Sequence, residues 1–262
     1  IHGCLVGSEM CIRDRYRTRF NEKGLTPDSI ESLEHLSLLP TLSKDDLVHK
    51  SKELATNRPI ISLFHSRKTT GGSTGNAVTL TKNANALARE RAATARSYEW
   101  AGVDLGDPQA RFWGVPLKQS NRLKYSIIDF IANRKRFSAF AVDDERLETY
   151  YLDTVKFRPT YLYGYASAIV DFCTFVNNRN YSLPSSIKSV ITTSEVLTPS
   201  MRKLIENCTG VKVFNEYGCG EVGSIAHECE AGNLHTMDDN LIVEVDNTDG
   251  KSGELIVTDL YN

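Results

Sequence analysis

The chain has 262 residues, 40% of them hydrophobic, and its 31 basic residues nearly cancel 33 acidic ones. That length suits one large domain or two smaller ones with a real core, and the balanced charge gives no electrostatic ground for a nucleic-acid or anionic-membrane partner. No apolar run approaches the roughly 20 residues that span a bilayer. Six cysteines scattered at 4, 11, 173, 208, 219 and 229, with no secretory leader, read as reduced thiols of a cytoplasmic protein rather than a disulfide framework.

Residues 1–15 lack helical or strand periodicity and resemble a translated adapter extension, so they are expected to be non-native; a short native arm is the alternative. From Tyr16 the pattern turns helical and stops at Gly24, and Thr26-Pro27 then predicts a second helix that ends at Leu39-Pro40. Ser43-Lys44-Asp45-Asp46 carries a capping signature and opens a short helix toward Leu54. Strand-like residues 60–64 and 77–80 flank the run Arg67-Lys68-Thr69-Thr70-Gly71-Gly72-Ser73-Thr74-Gly75-Asn76. Its glycines and hydroxyls can converge on phosphate oxygens, with Arg67 and Lys68 adding charge. The Walker spacing is not met, and a Gly/Ser/Thr hairpin connection is the alternative reading.

An Ala-rich helix is expected over residues 83–101, ended by Gly102. Beyond it, strand and helix signals alternate: strands at 111–115, 138–142, 160–162, 187–192 and 211–214, and helices at 121–133, 144–157, 166–177 and 198–208, the last capped by Thr198 with Pro199 first. The expected fold is α/β, a largely parallel sheet flanked by helices. Residues 225–226, 241–245 and 254–258 then read as an antiparallel segment at the C-terminal end. In open parallel sheets ligands bind outside the carboxyl ends of the strands. Three stretches follow strands there: Tyr163-Gly164-Tyr165, Thr193-Ser194-Glu195 and Asn215-Glu216-Tyr217-Gly218-Cys219-Gly220-Glu221. Tyr217 offers a face for a base, Thr193 and Ser194 offer polar groups for its edge, and Glu221 offers a hard oxygen ligand for Mg²⁺.

Thr70-Gly71-Gly72-Ser73-Thr74-Gly75, followed far along the chain by Asn215-Glu216-Tyr217-Gly218-Cys219-Gly220-Glu221, resembles the phosphate loop and Tyr-Gly-x-x-Glu motif of adenylate-forming enzymes. Lys156 to Tyr165, Ile191-Thr192-Thr193-Ser194-Glu195 and His227-Glu228-Cys229-Glu230 to Leu234-His235 most resemble the phenylacetate-CoA ligase and capsular-polysaccharide-biosynthesis branch, over residues 16–262. The resemblance implies a large AMP-binding domain that activates a small carboxylic acid with ATP and Mg²⁺ and transfers it to CoA. It implies that Ser73, Thr74 and Gly75, within a loop that includes Thr70 and Gly72, hold the β- and γ-phosphates, and that Tyr217 stacks on adenine within the motif Asn215-Glu216-Tyr217-Gly218. Glu221 would bind Mg²⁺, Glu221 and Thr74 would serve the chemistry, Thr193, Ser194 and Glu195 would line the adenine pocket, and Tyr163, Gly164 and Tyr165 would lie near the acyl pocket.

The sequence departs from that pattern in two places. Asn76-Ala77 stands where a loop lysine is common, and the chain stops before the segment whose Asp grips the ribose and before the small domain with the catalytic lysine, so weak ATP binding without chemistry is expected. Cys229 and His235 are residue types that can share a Zn²⁺, which some relatives complete with a later Cys-x-Cys; an unrelated Cys and His is the alternative. Two other function classes stay open: a non-catalytic nucleotide-binding module, and a dinucleotide-binding oxidoreductase suggested by Gly218-Cys219-Gly220-Glu221-Val222-Gly223.

Overall fold

The first elements are shorter than the sequence signals predict. The computed structural model describes residues 14–49, 66–69, 79–114, 122–140, 142–246 and 253–261. Helix α1 is Asp14–Glu22 and so includes two residues of the stretch set apart on sequence; the rest of that stretch lies outside the described residues. In place of a single helix after Thr26 there are two 3-10 turns, Pro27–Ser29 and Glu34–Leu38. The Thr26 N–H donates to Ser29 Oγ at 3.0 Å, a local side-chain bond that competes with helix propagation. Helix α2 (Lys44–His49) starts with the expected reciprocal cap: Asp46 N–H donates to Ser43 Oγ, and Ser43 N–H to the Asp46 carboxylate, both at 3.2 Å.

Strands β1 (Ser66–Thr69) and β2 (Thr79–Lys82) form an antiparallel pair running from Ser66↔Lys82 to Thr69↔Thr79. Arg67 and Lys68 are therefore strand residues rather than loop residues, because the backbone pairing to Thr81 and Leu80 continues through them. Thr70, Gly72, Ser73, Thr74 and Gly75, and the expected strand at 60–64, lie outside the described residues. Helix α3 (Ala84–Glu99) is capped by Asn83, whose side-chain oxygen accepts from Ala86 N–H at 2.8 Å, and the chain leaves it through Gly102 at φ +69°.

The alternating middle of the chain forms one sheet. Strands β3 (Gln109–Trp113), β4 (Arg134–Ser138), β5 (Tyr161–Tyr165), β6 (Ser189–Thr193), β7 (Val213–Cys219), β8 (Gly223–Glu228) and β9 (Leu234–Thr236) lie in the order β4-β3-β5-β6-β7-β8-β9. The pairs β3–β4, β3–β5, β5–β6 and β6–β7 are parallel, and β8–β9 is antiparallel. Helices α4 (Arg122–Ile131), α5 (Asp144–Phe157), α6 (Ala166–Asn178) and α7 (Pro199–Thr209) connect the parallel strands. Two caps were written in the sequence: Asp143 accepts from Arg146 N–H at 2.9 Å, and Thr198 from Met201 N–H at 3.3 Å ahead of Pro199.

Parallel register sorts the residues of β3 to β7 onto two faces. One face is apolar: Ala110, Phe112, Leu162, Val190 and Val213 join Phe137 of β4, Ile169 and Phe172 of α6 and Ile205 of α7 in the main core. On the other, Tyr161, Tyr163, Ile191 and Phe214 pack with Tyr98, Ala101, Val103 and Trp113. Gly164 is part of β5 between Phe112 and Thr192, so Tyr163-Gly164-Tyr165 is strand rather than the turn expected after one; the same correction applies to Asn215, Glu216, Tyr217 and Gly218, which continue β7.

The hairpin β10 (Leu241–Asp246) and β11 (Glu254–Asp259) is antiparallel, as the sequence predicts. The chain divides into two compact units, Ile1–Arg91 with Gly220–Gly223 and Asp238–Asn262, and Ala92–Cys219 with Ser224–Met237. In the first, Lys82 is buried at 1% exposure, with its ammonium 2.7 Å from Glu90 and 3.9 Å from Asp259. Glu90 in turn lies against Gly223, where an added Cβ would meet its carboxyl carbon at 2.4 Å. Among the described residues no helix is long and apolar enough to cross a membrane.

Candidate functional site

The second face of the sheet carries the polar groups. Thr193 ends β6 opposite Glu216 of β7, and Tyr165 ends β5 opposite Thr193, so three of the sequence-predicted stretches meet at the carboxyl ends of adjoining strands. Glu216 is buried at 8% exposure and accepts hydrogen bonds from the Tyr98 hydroxyl at 2.9 Å and the Ser224 hydroxyl at 2.7 Å. The Tyr163 hydroxyl meets those of Tyr98 and Thr193, and burial followed by the Glu216 charge pushes the Tyr163 phenol well above its ordinary range. The same two causes raise Tyr98. Both phenols stay neutral hydrogen-bonding groups rather than acids, and Tyr98 is the one that holds Glu216.

His227 of β8 packs edge-on against Tyr98 with ring centroids 5.7 Å apart. Its Nε2 is buried without a hydrogen-bond partner among the described residues, and burial holds the imidazole below its usual range although the nearby Glu216 opposes the shift. Glu228 is also buried; it takes Arg202 at 2.7 Å and the Asn215 N–H at 2.8 Å, which anchors β7 where the Tyr217 motif starts.

The remaining predicted residues fall into distinct environments. Tyr217 is 49% exposed at the end of β7, leaving ring surface free to stack. Ser194 is exposed with φ +67°, and Glu195 caps α6, accepting from Ser167 N–H at 2.8 Å and Ser167 Oγ–H at 2.9 Å. Tyr165 contacts Trp113, ring centroids 4.8 Å apart. Glu221 belongs to the other compact unit, and no described residue hydrogen-bonds or ion-pairs with its carboxylate. The glycine stretch Gly218 to Gly223 leads from β7 into β8 and opens no helix, so the dinucleotide-binding alternative fails in its structural context.

Cys229 and His235 do meet at the β8–β9 turn, where N–H groups of Asn233 and Ala231 and the His235 ring lower the Cys229 thiol below its ordinary range, the Asn233 bond contributing most. Among the described residues no group of three or more His, Cys, Asp or Glu side chains is placed to hold a metal ion. The sequence reading overlooked Tyr98, Ser224 and Trp113; the alternation Gln109-Ala110-Arg111-Phe112-Trp113 and Tyr161-Leu162-Tyr163, polar or aromatic on one face only, was the signal available.

The fold, a mostly parallel sheet with flanking helices and two separate antiparallel pairs, is shared with solved acyl-CoA ligases. The chain aligns to 2-hydroxyisobutyryl-CoA ligase in complex with 2-HIB-AMP and CoA in the thioesterification state, with a TM-score of 0.74 at 19% identity, covering 100% of this chain and 59% of that one. A long-chain-fatty-acid-CoA ligase from Archaeoglobus fulgidus matches with a TM-score of 0.54 at 12% identity, covering 74% of this chain and 42% of that one. An anthranilate CoA ligase in complex with anthranoyl-AMP matches with a TM-score of 0.52 at 13% identity, covering 74% and 39%. The chain thus spans well under two thirds of the length of each of these proteins. No family model and no curated sequence matches it.

Proposed function

We propose that this chain is the nucleotide-binding part of a protein that activates a small carboxylic acid with ATP, releasing pyrophosphate, and then passes the acyl group to CoA. The motifs favour the phenylacetate-CoA ligase and capsular-polysaccharide-biosynthesis branch, and a cytoplasmic location accords with reduced cysteines. The observation that carries this reading is that Thr193 and Tyr217 lie on neighbouring parallel strands at the carboxyl end of a sheet whose fold neighbours include ligases solved with acyl-AMP.

In this reading Tyr217 offers its exposed ring to adenine, and Thr193 and Ser194 hydrogen-bond the base edge. Glu195 acts through Ser167, holding the start of α6 beside that pocket. Glu216 carries no ligand itself; gripped by Tyr98 and Ser224, it fixes the strand from which Tyr217 projects. The Glu221 carboxylate, without a partner among the described residues, fits a hard cation, and Mg²⁺ held there with the phosphates would neutralise charge as the α-phosphate is attacked. Thr70, Gly72, Ser73, Thr74 and Gly75 are the residues proposed for the β- and γ-phosphates, while Tyr163, Gly164 and Tyr165 border the acyl group. Catalysis by such a site is mainly positioning and charge neutralisation.

The test is ATP binding with and without Mg²⁺ on this chain, beside ATP–pyrophosphate exchange with aryl and short-chain acids on a version carrying the downstream segment its fold neighbours have. We expect Mg²⁺-dependent ATP binding that Glu221→Ala weakens, and exchange only in the longer version, where the same substitution lowers it about 10²–10³-fold. ATP binding with no exchange in the longer version would leave a non-catalytic nucleotide-binding module.

A further inference from the structure

Residues 109–136 hold seven basic residues and a single acidic one, Asp129, in a chain whose net charge is -2. Arg134 and Arg136 share Asp129 at 2.6 and 2.9 Å, and Lys135 has Asp153 at 2.9 Å. Arg111 has no carboxylate among the described residues. It sits in register beside Arg136, whose charge Asp129 already holds.

What Arg111 does have is aromatic surface. Its guanidinium carbon lies 4.5 Å from the centroid of the Trp113 ring and 4.7 Å from that of Tyr163. These ring contacts are cation–π contacts and use none of its hydrogen bonds, so the N–H donors of Arg111 have no partner among the described residues and suit a planar acceptor. Arg111 lies two residues, about 6.6 Å, below the carboxyl end of β3, on the face that bears Tyr163 and Thr193. Ring walls suit a short carbon chain, and the fork of donors suits a carboxylate taken in bidentate fashion.

We propose that Arg111 receives a second carboxylate of the acid substrate, remote from the one activated, so that the substrate class is a short dicarboxylic acid. This rests on the acid-activation reading above. Trp113 reports on the site directly, and Trp100→Phe leaves it as the sole tryptophan. With no nucleotide present, emission is followed at constant ionic strength while glutarate, butyrate or inorganic phosphate is added. Glutarate should saturate the signal at a concentration at least about tenfold lower than butyrate or phosphate, since a charged hydrogen-bonded pair contributes about 1.5–3 kcal/mol. Arg111→Met should weaken glutarate by at least about tenfold and Arg111→Lys by less. Equal affinity for glutarate and butyrate, equal affinity for phosphate, or wild-type affinity in Arg111→Met overturns the proposal; the comparison of the three anions on the unsubstituted Arg111 stands even if Arg111→Met fails to fold. Because nucleotide is omitted, failure here is separate from failure of Mg²⁺-dependent ATP binding, which would sink the acid-activation reading instead.

Discussion

A Cβ on Gly164 would lie 2.0 Å from the carbonyl oxygen of Phe112, on the neighbouring strand β3. Gly164 also has φ +150°, a conformation other residues rarely adopt. The glycine of the Tyr163-Gly164-Tyr165 motif is therefore required by the sheet itself. Gly164→Ala should cost about 3 kcal/mol or more, read as a fall in the urea midpoint; a midpoint within error of the parent would mean that β3 and β5 yield easily.

Lys82 and Glu90 form an ion pair at 2.7 Å around a fully buried ammonium. Breaking such a pair from one side leaves an uncompensated charge, which commonly costs about 3–5 kcal/mol when burial is complete. Lys82→Met and Glu90→Gln should each destabilise by somewhat less than that, because Glu90 is partly exposed and Asp259 lies nearby. The double variant should lose about 1–3 kcal/mol less than the two single losses combined. Strict additivity in unfolding free energy would show that the two side chains do not act as a pair.

Glu216 depends on two hydroxyl donors. Tyr98→Phe removes one and leaves a buried carboxylate short of a bond, at a cost of about 1–3 kcal/mol. Ser224→Ala should do the same, and Glu216→Gln should make the chain less sensitive to either change. Denaturant curves of the paired variants decide it: unchanged sensitivity in the Gln background would remove Glu216 from the centre of the network.

Burial holds His227 below the ordinary imidazole range, with Glu216 partly opposing. The unfolded chain then binds that proton more readily than the folded one, so the stability contributed by neutral His227 is complete above about pH 6.5 and is lost as the pH falls below it. His227→Gln should flatten the decline in stability between neutral and mildly acidic pH. Parallel slopes in the two proteins would assign the decline to other groups.

In the proposed reading the half-exposed Tyr217 ring stacks on adenine. Stacking of a base on an aromatic ring contributes about 1–3 kcal/mol, so Tyr217→Ala should weaken ATP by about 5–150-fold while Tyr217→Phe keeps most of the affinity. Equilibrium titration of the two variants suffices, and equal affinities for Ala and Phe would rule out stacking.

Helices were legible where a cap and an apolar stripe coincide: the expected 144–157 is α5 to the residue, and Thr198-Pro199 opens α7 as expected. Strand β4 was expected at 138–142 and lies at Arg134–Ser138, because a run of Arg-Lys-Arg reads as solvated surface although charged side chains are common on an edge strand. Strand β9, with three residues, is too short to leave a periodic signal. At the site, Thr193 and Tyr217 could be read from motifs, but Tyr98 could not: it sits in an Ala-rich helix whose local pattern says nothing of the carboxylate it meets more than a hundred residues later. Arg111 was hidden for the same reason, since its neighbours Arg136 and Tyr163 come from other strands.

The division of the sheet into an apolar face and a face of tyrosines, Arg111, Thr193 and Glu216 separates two kinds of inheritance. Substitutions on the apolar face are judged by whether the chain folds, and they must be compensated by α5, α6 or α7. Those around Arg111 and Trp113 meet a second and smaller cluster, Tyr161, Tyr163, Ile191 and Phe214, on the other side of the sheet. Under the proposed function, a lineage carrying this fold would alter what it accepts through that second cluster while the larger one is left as it is.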